Sequence, residues 1–406
     1  MALLLRNRGA ILLLMINIFI IFTGIGLVIP IMPTYMTELN ISGSIVGLMV
    51  AAFSLTQLIF SPIAGRLSDR LGRKKIIVAG MLIFALSEWL FGYASSAVLL
   101  FAARMLGGIG AALIMPSVMA YTADVTTNED RATGMGYINA AITTGFIIGP
   151  GIGGYIAEFG IRVPFYGAAV AGLVAAVVTL FVLPESKSSV EASAGKKAPE
   201  SSSAPAKKES LVSQLLQSVR EPYFLSLIIV FVSAFGLANY ETVFGLFVDH
   251  RFGFTAKDIA FIITFGSISG AVVQVTIFSW ILKTFGEEKV VSFCLIVASL
   301  SVALTLVVHK YWLIVLVTFI VFLSIDILRP TISTQISKIA DNQQGYIAGL
   351  NSAFTSLGNI AGPIIAGFLF DIDVTFPFLS ASFVLLLCFF LSLRAIKAVK
   401  QNVGRG

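Results

Sequence analysis

Five ionisable side chains stand inside long apolar runs of this 406-residue chain: Glu88, Arg104, Glu241, Asp326 and Arg329. Placing an ionised group at bilayer depth costs at least ~2.5–3.5 kcal/mol on insertion scales, so each is a candidate for function. Asp326 and Arg329 are three residues apart, which on a helix puts them on one face and within pairing reach. The pair either neutralises itself for insertion or takes part in moving charge. Glu241 has no basic residue within a helical turn, and its neighbours Asn239 and Tyr240 offer hydrogen bonds only. Such a carboxyl either acts as a structural donor or exchanges protons, and a proton and cation site is the expectation. Glu88 lies roughly 18 Å into its span at 1.5 Å per residue, facing either a cavity or another helix. Arg104, nearer the outer end of its span, either orients a carboxylate or relays charge, or merely snorkels.

The side chains around these charges suggest a ligand class. The chain has 33 phenylalanines, and Tyr240, Phe244 and Phe247 fall on turns adjoining Glu241. An acid among aromatic faces suits a lipophilic cation through charge and cation–π attraction. Gln57 and Asn351 are further lining candidates. The two cysteines and two histidines show no metal-ligand spacing, so no metal is expected. No G-x-x-x-x-G-K-[ST] phosphate loop is present, so a transporter built on this chain draws on an ion gradient rather than a nucleotide, and no cofactor is expected. No catalytic constellation points to an enzyme.

The elements that position these residues follow from composition. Apolar residues make up 57% of the chain, charged residues 12%, and mean hydropathy is +0.95. Runs of about 20 apolar residues recur throughout, each long enough to cross roughly 30 Å of hydrocarbon as a helix. They lie near 9–33, 43–65, 76–95, 97–122, 132–157, 163–183, 223–248, 257–281, 289–308, 311–333, 345–370 and 375–394. An all-α membrane protein of twelve transmembrane helices is predicted.

Charge sorts along this plan. Of 27 Lys and Arg, 21 fall on the termini and even-numbered connections, and four (Arg162, Arg251, Lys257, Lys310) on the others. The positive-inside rule then places both termini in the cytoplasm and accounts for the basic pI without nucleic acid. The Ser-, Ala- and Lys-rich stretch 184–222 cannot bury a core and is expected to be a linker. It would join a six-helix bundle at 1–183 to a second at 223–398, followed by a tail at 399–406.

The two bundles carry a repeat. Gly145, Gly149, Pro150 and Gly154 of the fifth span match Gly358, Gly362, Pro363 and Gly367 of the eleventh at a constant offset of 213 residues. Pro116 matches Pro330 at an offset of 214. Two pseudo-symmetric six-helix halves are what transporters of this size show. Small residues four apart allow close helix approach and proline bends a helix, so these segments are expected at a sliding or bending interface between the halves.

The connection after the second span reads Gly65-Arg-Leu-Ser-Asp69-Arg70-Leu-Gly72-Arg73-Lys-Lys. It resembles motif A of the major facilitator superfamily, with Gly65 and Gly72 expected to turn the loop and Asp69, Arg70 and Arg73 to form a gate. Arg104-Met-Leu-Gly107-Gly108-Ile-Gly110 is similar to motif B, and the Gly145–Gly154 segment to the antiporter motif C. Phrases such as GIGLVIP at 24–30, GFIIGPGIGG at 145–154 and GLNSAFTSLGN at 349–359 resemble the Bmr and NorA group of bacterial multidrug exporters. The resemblance implies proton-coupled efflux of amphipathic, mostly cationic drugs and dyes across a bacterial inner membrane by a monomer, and points to the acids of the seventh and tenth spans as coupling residues. An importer or exporter of one metabolite is the alternative, but it would want a cavity richer in hydrogen-bonding side chains than these spans supply. A receptor or scaffold is a second alternative, with the linker as its only signalling element.

Overall fold

The computed structural model describes residues 2–127, 130–186, 224–339 and 344–403. Most of the expected linker, 187–222, lies outside the described residues. In hydrocarbon no water is at hand for a backbone N–H or C=O, so an apolar run must satisfy its own polar groups, and helix is the form in which a single segment does so. Among the described residues, twelve helices are long and apolar enough to cross a membrane.

In the first half these are α1 (Ala2–Leu39), α2 (Gly43–Leu71), α3 (Arg73–Tyr93), α4 (Ala97–Val125), α5 (Arg131–Ile156) and α6 (Val163–Val182). In the second half they are α7 (Phe224–Phe252), α8 (Ala256–Thr276), α9 (Glu287–Thr305), α10 (Tyr311–Ile339), α11 (Gln344–Ile372) and α12 (Phe376–Val403). One boundary departs from the sequence expectation. The run expected at 257–281 ends at Thr276, and a separate short helix, Phe278–Phe285, follows with Trp280 and Phe285 exposed. Proline is tolerated inside six of the helices, including Pro150 in α5 and Pro363 in α11.

The chain forms two compact units. One holds residues 1–41, 52–203 and 255–261, and the other holds 42–51, 204–254 and 262–406. In the first, α1 packs on α5 and α6, and α3 packs on α4 and α6. In the second, α7 packs on α11 and α12, and α9 packs on α10 and α12. The pairing order is the same, as a duplicated sequence requires. The core of the first unit is built from side chains such as Leu14, Ile18, Phe84, Ile114 and Ile138. The outward apolar residues of the same helices, Leu82, Trp89, Val174 and Phe181 among them, stay exposed, as lipid-facing positions do.

The repeated glycines explain the closest of these packings. A Cβ on Gly145 would stand 2.9 Å from the Phe19 carbonyl oxygen, and one on Gly149 would stand 2.6 Å from that of Thr23. In the second unit a Cβ on Gly358 would stand 2.7 Å from the Phe231 oxygen, and one on Gly362 would stand 2.7 Å from that of Phe235. These four glycines therefore seat α5 on α1 and α11 on α7, each inside one unit. For these four glycines the expected place between the halves is corrected, because the helix face that carries them is turned into its own bundle, whereas Gly154 and Gly367 at the ends of the same segments stand against Ala256 of α8 and Gly43 of α2.

Candidate functional site

The second unit gathers three of the five charges. Glu241 comes from α7, and Asp326 and Arg329 come from one face of α10. Arg329 and Asp326 both act electrostatically on Glu241, and Arg329 acts on Asp326. Glu241 and Asp326 are half-buried and Arg329 is exposed. Two carboxylates and a guanidinium on neighbouring helices form a site whose net charge changes by one when a single proton or a monovalent cation enters.

A third helix shapes this site. A Cβ on Gly270 of α8 would overlap the carboxylate of Asp326, standing 2.9 Å from its Cγ. One turn earlier a Cβ on Gly266 would stand 3.1 Å from the ring of Phe322. Gly266 and Gly270 are thus the seat for Phe322 and Asp326, with a spacing of four on both helices. Sequence reasoning passed over this pair, although its GxxxG spacing is visible in the chain.

Tyr240, Phe244 and Phe247 take another part than the one expected. The hydroxyl oxygens of Tyr240 and Thr318 lie 3.1 Å apart, and the Tyr240 ring stacks on Phe244 at 5.3 Å. It also meets Phe322 and Phe378 edge-on at 6.2 and 5.6 Å, while Phe247 lies 4.5 Å from Phe378. All three rings are at most 1% exposed. The substrate-lining expectation for them is corrected, since the face of α7 that bears them turns into α10 and α12. Glu241, about 100° further round the helix, leaves that face. Of the other lining candidates, Asn351 on α11 keeps its side-chain oxygen buried without a protein partner, and Gln57 on α2 is half-buried. Asn239 also leaves a buried side-chain oxygen unpaired.

The first unit holds the remaining two charges. Glu88 is 5% exposed, and its Oε2 has no hydrogen-bond partner. Arg104 on α4 attracts it, and the Arg104 Nε is likewise buried and unpaired. The guanidinium lies 5.0 Å from the centre of the Phe91 ring and 6.0 Å from that of Phe53. Arg104 is thus held among aromatic faces beside a buried acid.

The loop after α2 builds a charged cluster. Gly72 has φ of 101° and makes the turn to α3. Gly65 does not share that task. It lies within α2, which continues to Leu71, and nothing stands within 4 Å of where its Cβ would be. Arg73 pairs with Asp69, meets Asp124 of α4 at 3.3 Å and donates to Ser68 Oγ at 3.2 Å. Ser186 donates to Asp124 at 2.8 Å, and Glu185 accepts the Lys74 N–H at 3.0 Å, capping α3. Arg70 is exposed. Asp124, Glu185 and Ser186 carry no local signal in the sequence, because only packing brings the end of α6 beside the start of α3.

Comparison with known proteins adds the family. The profile described as Major Facilitator Superfamily matches residues 14–276 and 226–405. The chain is 48% identical to multidrug resistance protein 2 of Bacillus subtilis strain 168, over 94% of each chain. It is 39% identical to the quinolone resistance protein NorA of Staphylococcus aureus strain MRSA252, over 89% of this chain and 90% of that one. Among solved structures, the nucleoside transporter NupG superposes with a TM-score of 0.74 at 17% identity, covering 96% of this chain and 99% of that one, which speaks to the fold alone. With a twelve-helix membrane fold, a duplicated helix order and relatives of this closeness along nearly its whole length, the chain belongs to the Major Facilitator Superfamily, as a multi-pass membrane transporter of the Bmr and NorA group rather than an enzyme.

Proposed function

We propose that this chain is a proton-driven exporter of amphipathic, mostly cationic small molecules, working by alternating access from the bacterial cytoplasm with both termini inside. The observation that carries the reading is the cluster of Glu241, Asp326 and Arg329 within electrostatic reach of one another. A membrane segment retains two acids and one base together only where the charges are used. The names of the relatives at 48% and 39% identity support drugs as the cargo. The lean of positive charge toward one set of connections supports the orientation.

The cycle uses the carboxylates twice. Deprotonated Glu241 and Asp326 attract a cationic substrate from the inner side. A proton arriving from the outer side converts a carboxylate to the neutral acid, removes the attraction and releases the cargo. Return of the proton to the cytoplasm restores the carboxylate. Drug and proton thus compete for the same oxygens, and no cofactor is needed. Glu88 and Arg104 form a second buried charge pair in the other unit, which we assign to the same coupling of charge to movement. Asp69, Arg70 and Arg73 act at the inner gate.

The test is dye efflux in inverted vesicles under an imposed pH gradient, comparing the parent with Glu241→Gln and Asp326→Asn. Loss of gradient-driven transport of cationic dyes in both variants supports the assignment. Transport at the parental rate in both overturns it.

A further inference from the structure

The internal repeat extends to a place where each copy forms a specific carboxylate contact. Asn40 has φ of 49°, the one left-handed residue other than glycine among the described residues, and Gly253, 213 residues on, has φ of 66°. Two residues later each copy places a hydroxyl at a helix start. The Ile45 N–H donates to Ser42 Oγ at 3.4 Å, and the Asp258 N–H donates to Thr255 Oγ1 at 3.3 Å. Both are N-caps, reached through the same left-handed turn.

The helix starts so prepared carry small residues at the same spacing, Gly43 and Gly47 on α2 and Ala256 and Ala260 on α8. Residues 42–51 belong to the second unit, where a Cβ on Gly47 would stand 3.2 Å from the Gly367 Cα. Residues 255–261 belong to the first unit, where a Cβ on Gly154 would stand 2.6 Å from the Ala256 carbonyl oxygen. Gly154 and Gly367 are themselves repeat partners.

One turn beyond each glycine stands an acid. Asp371 accepts the backbone N–H groups of Gly43 at 2.6 Å and Ser44 at 2.9 Å. Glu158, its partner at the offset of 213, meets Lys257 Nζ at 3.0 Å, and Lys257 lies 5.1 Å over the Tyr155 ring. Lys257 occupies the repeat position of Ser44. The same carboxylate therefore grips the same helix start in both copies, through two backbone N–H groups in one and a lysine side chain in the other.

We propose that Asp371 and Glu158 form a duplicated outer latch, which holds the starts of α2 and α8 against α11 and α5 and lets go when the transporter opens outward. The idea that these ends face outward and separate rests on the alternating-access reading above. The two copies differ in strength for a physical reason. Asp371 makes charge-assisted bonds to N–H groups at a helix N-terminus, where the dipole adds to them. Glu158 and Lys257 are both about half-exposed, and an ion pair in water is weak and screened by salt. The latch is thus dominated by Asp371, with a salt-sensitive minor partner.

The test labels Ser44→Cys on intact cells with a membrane-impermeant maleimide, in a background where the two buried cysteines, Cys294 and Cys388, are changed to serine. Asp371→Ala is expected to raise the labelling rate by about ten-fold, a shift of ~1.4 kcal/mol in the latch equilibrium. Asp371→Asn, which keeps one acceptor oxygen and the side-chain volume, is expected to fall between the two and covers the case in which the alanine variant does not reach the membrane. Glu158→Gln is expected to raise the rate only about two-fold, and that increase should vanish between roughly 0.1 and 1 M salt. Exchanging the charges with Glu158→Lys and Lys257→Glu should return it to the parental value. Labelling at the parental rate in every Asp371 variant present in the membrane overturns the latch. Dye efflux by the parent is measured in the same cells, so a parent that pumps beside Asp371 variants that label at its rate defeats the latch alone, and variants that label as expected beside a parent that does not pump defeat only the transport reading.

Discussion

The carboxylate of Asp326 lies directly on the backbone of Gly270, in a space that no β-carbon can share. An acid on α10 reaches its position beside Glu241 only because α8 offers a bare backbone there. Gly270→Ala should push the carboxylate aside and lower dye efflux by about ten-fold, equivalent to ~1.4 kcal/mol. Overpacking of this kind costs roughly 1–3 kcal/mol of stability, which thermal unfolding in detergent will read. Gly266→Ala meets the edge of the Phe322 ring, which can turn away, so its effect on efflux should be smaller. Equal effects from the two substitutions would remove Gly270 from the site.

Tyr240 sits one residue from Glu241 yet belongs to the core. Tyr240→Phe removes the hydroxyl that meets Thr318 at 3.1 Å. A lost neutral hydrogen bond is worth about 0.5–1.5 kcal/mol, so the variant should unfold at a lower temperature while its efflux per folded molecule stays at the parental level. A change in substrate preference would place the ring in the binding site after all.

Arg73 ties Asp69 to Asp124 at the start of α3. Its guanidinium spreads over several acceptors that a lysine ammonium cannot reach together. Both Arg73→Lys and Arg73→Ala should lower stability, the alanine variant by about 1.5–3 kcal/mol for each charged hydrogen bond lost. Efflux should fall in the same order. Arg66 is exposed and has no part in the gate, so Arg66→Ala serves as the neighbouring control.

Gly149 and Gly362 hold equivalent helix crossings in the two units. Valine at either position collides with backbone, a carbonyl that cannot rotate away as a side chain could. Gly149→Val and Gly362→Val should therefore both reduce the yield of monodisperse protein on size-exclusion chromatography. A tolerated valine at one position would show that the two crossings differ despite the repeat.

In the turn between α11 and α12, Asp373 accepts the Thr375 N–H at 2.8 Å and its hydroxyl at 2.5 Å. These bonds, with the hydroxyl first, hold the Asp373 carboxyl below its ordinary range. A lowered folded value stabilises the protein above the unfolded carboxylate range, and that contribution is lost as pH falls through the folded value. The difference in melting temperature between the parent and Asp373→Ala should be constant near neutrality and shrink only in strong acid. A difference that shrinks near neutral pH would contradict the assigned bonds.

Much of this protein is written along the chain. Span number and length, the sorting of Lys and Arg, and the repeat from Gly145 to Gly154 in Gly358 to Gly367 are one-dimensional properties. The bilayer enforces them segment by segment, since each helix must bury its own backbone and find its own apolar length. The cost of a charge in lipid likewise singles out Glu88, Arg104, Glu241, Asp326 and Arg329 before any contact is known.

Contacts between helices answer to a different condition. Which side of α7 faces inward decides that Tyr240, Phe244 and Phe247 are core while Glu241 is not, and apolar composition all round a membrane helix leaves that rotation unmarked. The seat of Asp326 on Gly270, the approach of Glu185 to the start of α3, and the grip of Asp371 on Gly43 and Ser44 join residues far apart in sequence. Sequence by itself determined how many helices cross the membrane and which charges they carry. Tertiary packing alone decided what each charge touches, because that depends on the rotation and crossing of rigid helices, which local composition does not encode.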